Sequence, residues 1–141
     1  MAMNILLDTG FWYALYEVGD SHHEDAQSLA ELLDPHNLVL LWPCLYETLN
    51  NRFVRRREWL DSFSAYANRI NTVLLSDEAY RHHALGKVFK NRAPWLSVSL
   101  VDQVIRLALT DTSVKIDAMI TFNPSDFIDI CQSRRIKLYP G

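Results

Sequence analysis

The sequence predicts a three-layer α/β/α fold, with a five-stranded parallel sheet covered by helices on both faces. Three observations lead there. Five short apolar runs, at 4–8, 38–42, 72–75, 117–121 and 136–139, have the length and character of buried strands. Longer amphipathic stretches alternate with them, so the strands connect through helical crossovers. Only four Gly and five Pro interrupt 141 residues, which favours short loops and high helix content.

Along the chain, Asn4-Ile5-Leu6-Leu7 forms the first strand and ends at Asp8. Asp8-Thr9-Gly10 then opens a helix over 10–17, since Asp or Thr at a helix start accepts backbone N–H groups. A helix over 21–34 leads to Leu38-Val39-Leu40-Leu41-Trp42, the plainest strand. From Pro43, Leu45, Leu49 and Phe53 make one apolar stripe and predict a helix over 43–56, followed by another over 57–70. The strand at 72–75 and a helix over 76–90 come next. Ser99-x-x-Asp102 has the form of a capping box and opens a helix over 99–111. The strand at 117–121 runs into Asn123-Pro124-Ser125-Asp126, where Asn caps, Pro takes the first helical position and a short helix covers 124–130. The last strand is 136–139.

These elements make one domain over residues 1–141, with enough apolar content (49%) for a real core. The net charge of −3 disfavours nucleic-acid binding by bulk electrostatics, but allows it through local basic clusters. Cys44 and Cys131 are too few for a disulfide framework and read as buried thiols. Only three consecutive large apolar residues precede Asp8, too few for a signal peptide or membrane span, so a cytoplasmic location is expected.

Four polar side chains stand beside apolar runs: Asp8, Glu47, Asp102 and Asn123. Carboxylates near a core are costly unless paired or bound to metal, and their convergence suits a hard cation, Mg²⁺ or Mn²⁺. Convergence follows if the first strand is central. A doubly wound sheet then sets it beside the fourth, with Asp8 and Asn123 flanking the crevice at the strand ends. Thr9 would support the site. Glu47 falls nearly opposite its helix's apolar stripe, so periodicity alone makes it a solvated glutamate, although Asn50 one turn on fits a polar site equally well. An amide at 123 can coordinate without adding charge, and Asp126 would supply the charge it lacks. Asp117 falls at the opposite end of the sheet and is excluded.

Basic residues gather at Arg52, Arg55, Arg56 and Arg57, and at Lys87, Lys90 and Arg92 before Trp95. Such runs are usually solvated helix faces. Because both follow or precede proposed acidic ligands, Arg52, Arg55, Arg56, Lys87 and Lys90 are candidates for RNA phosphate contacts. The His22-His23 and His82-His83 pairs lack metal spacing and carry no assigned role.

In this order, Leu6-Leu7-Asp8-Thr9, Tyr46-Glu47, Ser99-Leu100-Val101-Asp102 and Ile120-Thr121-Phe122-Asn123 with Asp126-Phe127 resemble the PIN-domain family, and within it the VapC-type toxins of toxin–antitoxin pairs. The resemblance runs nearly end to end. It implies a five-stranded parallel sheet and a Mg²⁺- or Mn²⁺-dependent ribonuclease site, with Asp8, Glu47 and Asp102 as ligands and Thr121 as a supporting hydroxyl. Asn123 takes a place where many members have aspartate. Toxin-type membership also implies a small antitoxin partner, for which the aromatic helices at 10–17 and 43–70 offer a docking surface, and homodimerisation. Two other readings compete with it. A dehalogenase-like phosphatase requires a second aspartate where this chain has Gly10, and a catalytically weak PIN-like module would bind metal or RNA without turnover.

Overall fold

The computed structural model describes residues 1–91 and 98–141, and among these five strands form one parallel sheet. Arg92 and Trp95 lie outside the described residues. The strands are β1 (Asn4–Leu7), β2 (Asn37–Leu41), β3 (Thr72–Leu75), β4 (Ala118–Ile120) and β5 (Lys137–Tyr139), in spatial order β3-β2-β1-β4-β5. As expected, β1 is central and pairs with β4, with Leu7 opposite Ile120. Strand order reverses at β1, so a crevice opens past the carboxyl ends of β1 and β4.

The helices are α1 (Thr9–Tyr16), α2 (His23–Leu33), α3 (Trp42–Thr48), α4 (Asn51–Val54), α5 (Arg57–Ala67), α6 (Arg81–Lys90), α7 (Leu100–Thr110) and α8 (Ile128–Arg134). Their apolar stripes meet a sheet whose side chains alternate between faces. Leu6, Val39, Leu41 and Met119 enter one core with Ala84 of α6, Val104, Ile105 and Ala108 of α7 and Cys131 of α8. Ile5, Leu7, Leu38, Leu40 and Ile120 enter the other with Phe11 and Trp12 of α1, Leu33 of α2 and Phe63 of α5. Burying each such side chain is worth roughly 1.5–3 kcal/mol, which fixes the register of the central strands. At the opposite end of the sheet, Asp117 accepts from the Asn4 N–H at 2.8 Å and ties β4 to β1.

Four expectations need correction. The strand at 72–75 is not buried: β3 is an edge, and Val73 and Leu74 are 54% and 44% exposed. An edge strand has a neighbour on one side only. The predicted helix over 43–56 breaks into α3 and α4, because Asn50 accepts from the Phe53 N–H at 3.1 Å and starts a new helix. An Asn side chain competes for backbone groups in this way, which favours it at caps over helix interiors. Residues 76–80 precede α6 as turns, with Ser76 Oγ accepting from the Glu78 N–H. The short helix at 124–130 is a 3-10 turn over Pro124–Asp126, and α8 follows it to Arg134.

The aromatic helices contribute to the core and also leave apolar side chains exposed, Tyr46, Leu49 and Val54 among them. Phe11, Trp12, Phe53 and Phe63 are at most 2% exposed. Trp12 meets Phe63 edge to face at 4.7 Å, and Phe53 meets Tyr13, Tyr16, Trp59 and Phe63 in the same cluster. The rings of Phe11, Trp12, Phe53 and Phe63 belong to the core. Cys44 and Cys131 are buried free thiols as expected. Among the described residues, no helix is long and apolar enough to cross a membrane.

Candidate active site

Asp8 leaves the end of β1 in extended backbone and caps α1. Its Oδ1 accepts from the Thr9 N–H at 2.8 Å, and its Oδ2 accepts from Thr121 Oγ1 at 3.0 Å. The capping role and the site role therefore coexist in one carboxylate. Thr121, just past β4 and 1% exposed, also accepts from the Asn123 N–H at 3.1 Å. That single hydroxyl joins the two strand ends and fixes the chain leaving β4.

Glu47 is on α3, the first crossover's neighbour beyond β2, and its Oε1 lies 3.2 Å from the Thr9 hydroxyl. The same hydroxyl lies 3.3 Å from the Cys44 carbonyl oxygen. Periodicity reads Glu47 as a solvated glutamate, and it is exposed. It also reaches Thr9 because α1 and α3 pack together, a contact that a helical wheel of α3 cannot contain. Asn50, by contrast, caps α4, with its amide also donating to the Glu47 carbonyl oxygen and hydrogen-bonded to the Tyr13 hydroxyl.

Asp102 is in the first turn of α7, where Ser99 Oγ accepts from its backbone N–H at 3.1 Å. The predicted cap is present, and it sets the carboxylate at the crevice. Asn123 occupies the N-cap position of the 3-10 turn but makes no side-chain cap there. Its expected capping role is thus unfilled, and the side chain is exposed.

Electrostatics tie these residues into one cluster. Desolvation, then the charge of Asp126, pushes the Asp8 carboxyl above its ordinary value, partly offset by the Thr121 and Thr9 hydrogen bonds. Glu47 is raised by desolvation and by Asp8, against the Thr9 hydrogen bond. Asp102 is pushed up to about 6 by desolvation and by Asp8, Asp126 and Glu47, with Ser99 opposing. The Cys44 thiol is raised by burial and by Asp8, Glu47 and Asp102, as a probe set among them would be. Among the described residues, no basic side chain figures among these influences. The neighbouring carboxylates therefore disfavour one another's ionised forms.

Asp126 thus bears more on the site than its supporting assignment implied. It is held from outside: Arg106 of α7 donates to the Asp126 carbonyl oxygen at 2.7 Å while forking onto Asp129 at 2.8 and 2.9 Å. Arg106 drew no notice in the sequence. The available signal was an arginine inside the otherwise apolar helix Leu100–Thr110.

The donor set fits a hard divalent cation in chemistry, since it consists of negatively charged oxygen ligands. Among the described residues, no three acid, imidazole or thiol side chains are drawn together as a metal cage.

The basic residues are dispersed. Arg52 pairs with Glu17 at 3.1 Å and lies 5.8 Å from the Tyr13 ring, and the Arg56 guanidinium stacks 4.9 Å over Trp59. Arg57 pairs with Asp61, and Arg55 is exposed at the end of α4. Lys87 and Lys90 are exposed in the last turn of α6. The break at Asn50 separates the arginines from the helix of Glu47, so they form no single continuous basic face with it.

No protein-family model matches this chain, and no curated protein matches it in sequence. Among solved structures it is similar to Mycobacterium tuberculosis VapC20, a sarcin-ricin loop cleaving toxin, with a TM-score of 0.66. The likeness covers 89% of this chain and 94% of that one at 20% identity. At that identity the likeness is one of fold: the chain has the PIN-like α/β/α architecture.

Proposed function

We propose that this PIN-like chain is a Mg²⁺- or Mn²⁺-dependent endoribonuclease, a hydrolase of RNA phosphodiester bonds and the toxin of a toxin–antitoxin pair acting in the cytoplasm. One observation carries the reading. Asp8, Glu47 and Asp102 each have a pKa raised by burial and by at least one neighbouring carboxylate at the sheet's switch point, and among the described residues no basic side chain contributes to any of the three shifts. A cluster so arranged calls for a cation, and likeness of fold to an RNA-cleaving toxin suggests the use.

Asp8 and Asp102 would hold the ion, with Asn123 as a neutral auxiliary and Asp126 adding charge. When bound, the ion would supply Lewis acidity toward a water and the scissile phosphate. Thr121 orients Asp8 through its hydroxyl, and Thr9 orients Glu47. Glu47, more exposed than Asp8 and raised toward neutrality, is suited to take the proton of the attacking water. Arg52, Arg55, Arg56, Lys87 and Lys90 would contact flanking phosphates.

The antitoxin's docking surface on the aromatic helices would extend into a groove beside the acids. A cavity of about 330 Å³ is lined by Pro43, Tyr46, Leu85, Leu100, Val101 and Val104, and Tyr46 and Val101 adjoin Glu47 and Asp102 in the chain. A peptide seated there would cover the crevice. Exposed Val73 and Leu74 offer a separate surface for a homodimer.

The test is cleavage of structured RNAs by the purified, partner-free chain with Mn²⁺, Mg²⁺ or EDTA, beside Asp8→Asn. Metal-dependent cleavage that disappears in the variant supports the reading. Mn²⁺ binding with no turnover on diverse RNAs would replace it with a PIN-like binding module.

A further inference from the structure

We propose that His22 and Phe122 form a stacking platform for an unpaired RNA base beside the scissile phosphate. This rests on the ribonuclease reading and adds a substrate contact to it. The two rings lie flat on each other, with centroids 4.4 Å apart and planes 4° from parallel. The rings of the core meet differently, mostly edge to face.

Both partners are held in place. Phe122 follows Thr121, whose hydroxyl is bonded to Asp8, and precedes Asn123, so its Cα lies about 3.8 Å from a residue of the acid cluster. Its side chain packs on the second core. His22 leads into α2: its N–H donates to Asp20 Oδ1 at 2.8 Å, and its carbonyl oxygen accepts from the Ala26 N–H at 2.9 Å. The neighbouring His23 ring bonds the Ala14 carbonyl oxygen, which pins the turn to α1.

His22 is exposed, and Phe122 covers one face of its ring. A further ring could therefore stack only on the opposite face. A flat, anchored ring with an open face at the edge of a phosphate-cleaving crevice is what a splayed nucleobase needs. A metal role is disfavoured, since the nearby Asp20 carboxylate is engaged by the His22 backbone. The base would stack outside the crevice while its phosphate enters it.

The experiment compares wild type, His22→Ala and His22→Phe on a loop-containing RNA oligonucleotide with Mn²⁺, measuring kcat, KM and Mn²⁺ affinity. Loss of stacking should raise KM about 5- to 10-fold in His22→Ala, with kcat changed less than about twofold. His22→Phe should restore KM, and Mn²⁺ affinity should match wild type throughout. In an Asp8→Asn background, a 2-aminopurine beside the cleavage site should be quenched on binding, and the quench should be lost with His22→Ala. An unchanged KM in His22→Ala, or a His22→Phe variant as weak as His22→Ala, overturns the platform. If wild type neither binds nor cleaves RNA, the ribonuclease reading falls and the platform with it. Cleavage with KM indifferent to His22 removes the platform alone.

Discussion

Replacing Asp102 by Asn should stabilise the metal-free protein while abolishing its response to Mn²⁺. The Asp102 carboxyl is pushed from its ordinary 3.8 to about 6 by burial and by Asp8, Asp126 and Glu47. The folded chain thus binds this proton more tightly than the unfolded chain does. Its contribution to stability is fully present below about pH 3.8 and is lost as pH rises through about 6. At pH 7 the wild type carries the whole strain of the ionised group, which after discounting for its partial exposure is about 1–2 kcal/mol. Asparagine keeps the shape and the backbone N–H that donates to Ser99 Oγ, and removes the charge. Urea or thermal unfolding in EDTA at pH 7 should show a gain of about 1–2 kcal/mol, or roughly 3–6 °C in Tm. Near pH 4 the difference should vanish, because the wild type is then protonated. With Mn²⁺ at a hundredfold excess over its Kd, the wild type should gain about 2.7 kcal/mol and the variant far less. A variant less stable than wild type in EDTA at both pH values would refute the reasoning, because it would make the carboxylate a structural partner.

Three further outcomes follow from the same geometry. Thr121→Val leaves Asp8 Oδ2 and the Asn123 N–H without their shared hydroxyl, so it should cost about 1–3 kcal/mol by urea unfolding and weaken Mn²⁺ binding measured by calorimetry. Arg106→Lys loses the fork onto Asp129 and should cost about 1 kcal/mol, with a larger loss of metal-dependent cleavage because Asp126 is released. Metal-dependent cleavage should rise with pH through about 6, since a protonated Asp102 cannot hold a cation; a pH–rate profile flat from 5 to 7 would contradict this.

The acid cluster shows how a fold can hold like charges near a core. Each acid is fixed by a hydroxyl or a helix start rather than by a base: Asp8 by Thr121 and the start of α1, Glu47 by Thr9, Asp102 at the Ser99-capped start of α7. Helix N-termini favour the ionised forms of Asp8 and Asp102. This limits the repulsion, and among the described residues no lysine or arginine is bonded to any of these three carboxylates.

The order of strands and helices, the central place of β1 and the meeting of Asp8 with the end of β4 were all legible in the sequence. Apolar runs of strand length can be satisfied only inside a covered sheet, and right-handed crossovers leave few topologies for five of them. Asp8 and Asp102 were legible as polar residues at a strand end and a helix start that local patterns mark, whereas Thr121 was marked only by the family resemblance. Glu47, Asp126 and Asn50 were decided elsewhere. Periodicity turned Glu47 toward solvent, and only the packing of α1 on α3 carried Thr9 to it. Asp126 gained its influence from Arg106 across the α7–α8 contact, and Asn50 lost a site role by breaking a helix that its neighbours' apolar stripe would have continued. Local sequence thus determined which segments are buried and where they begin, since hydrophobic period and capping act within a few residues. Tertiary structure decided which side chains meet across elements, since those contacts depend on how helices cross the sheet, and no pattern along one helix encodes that.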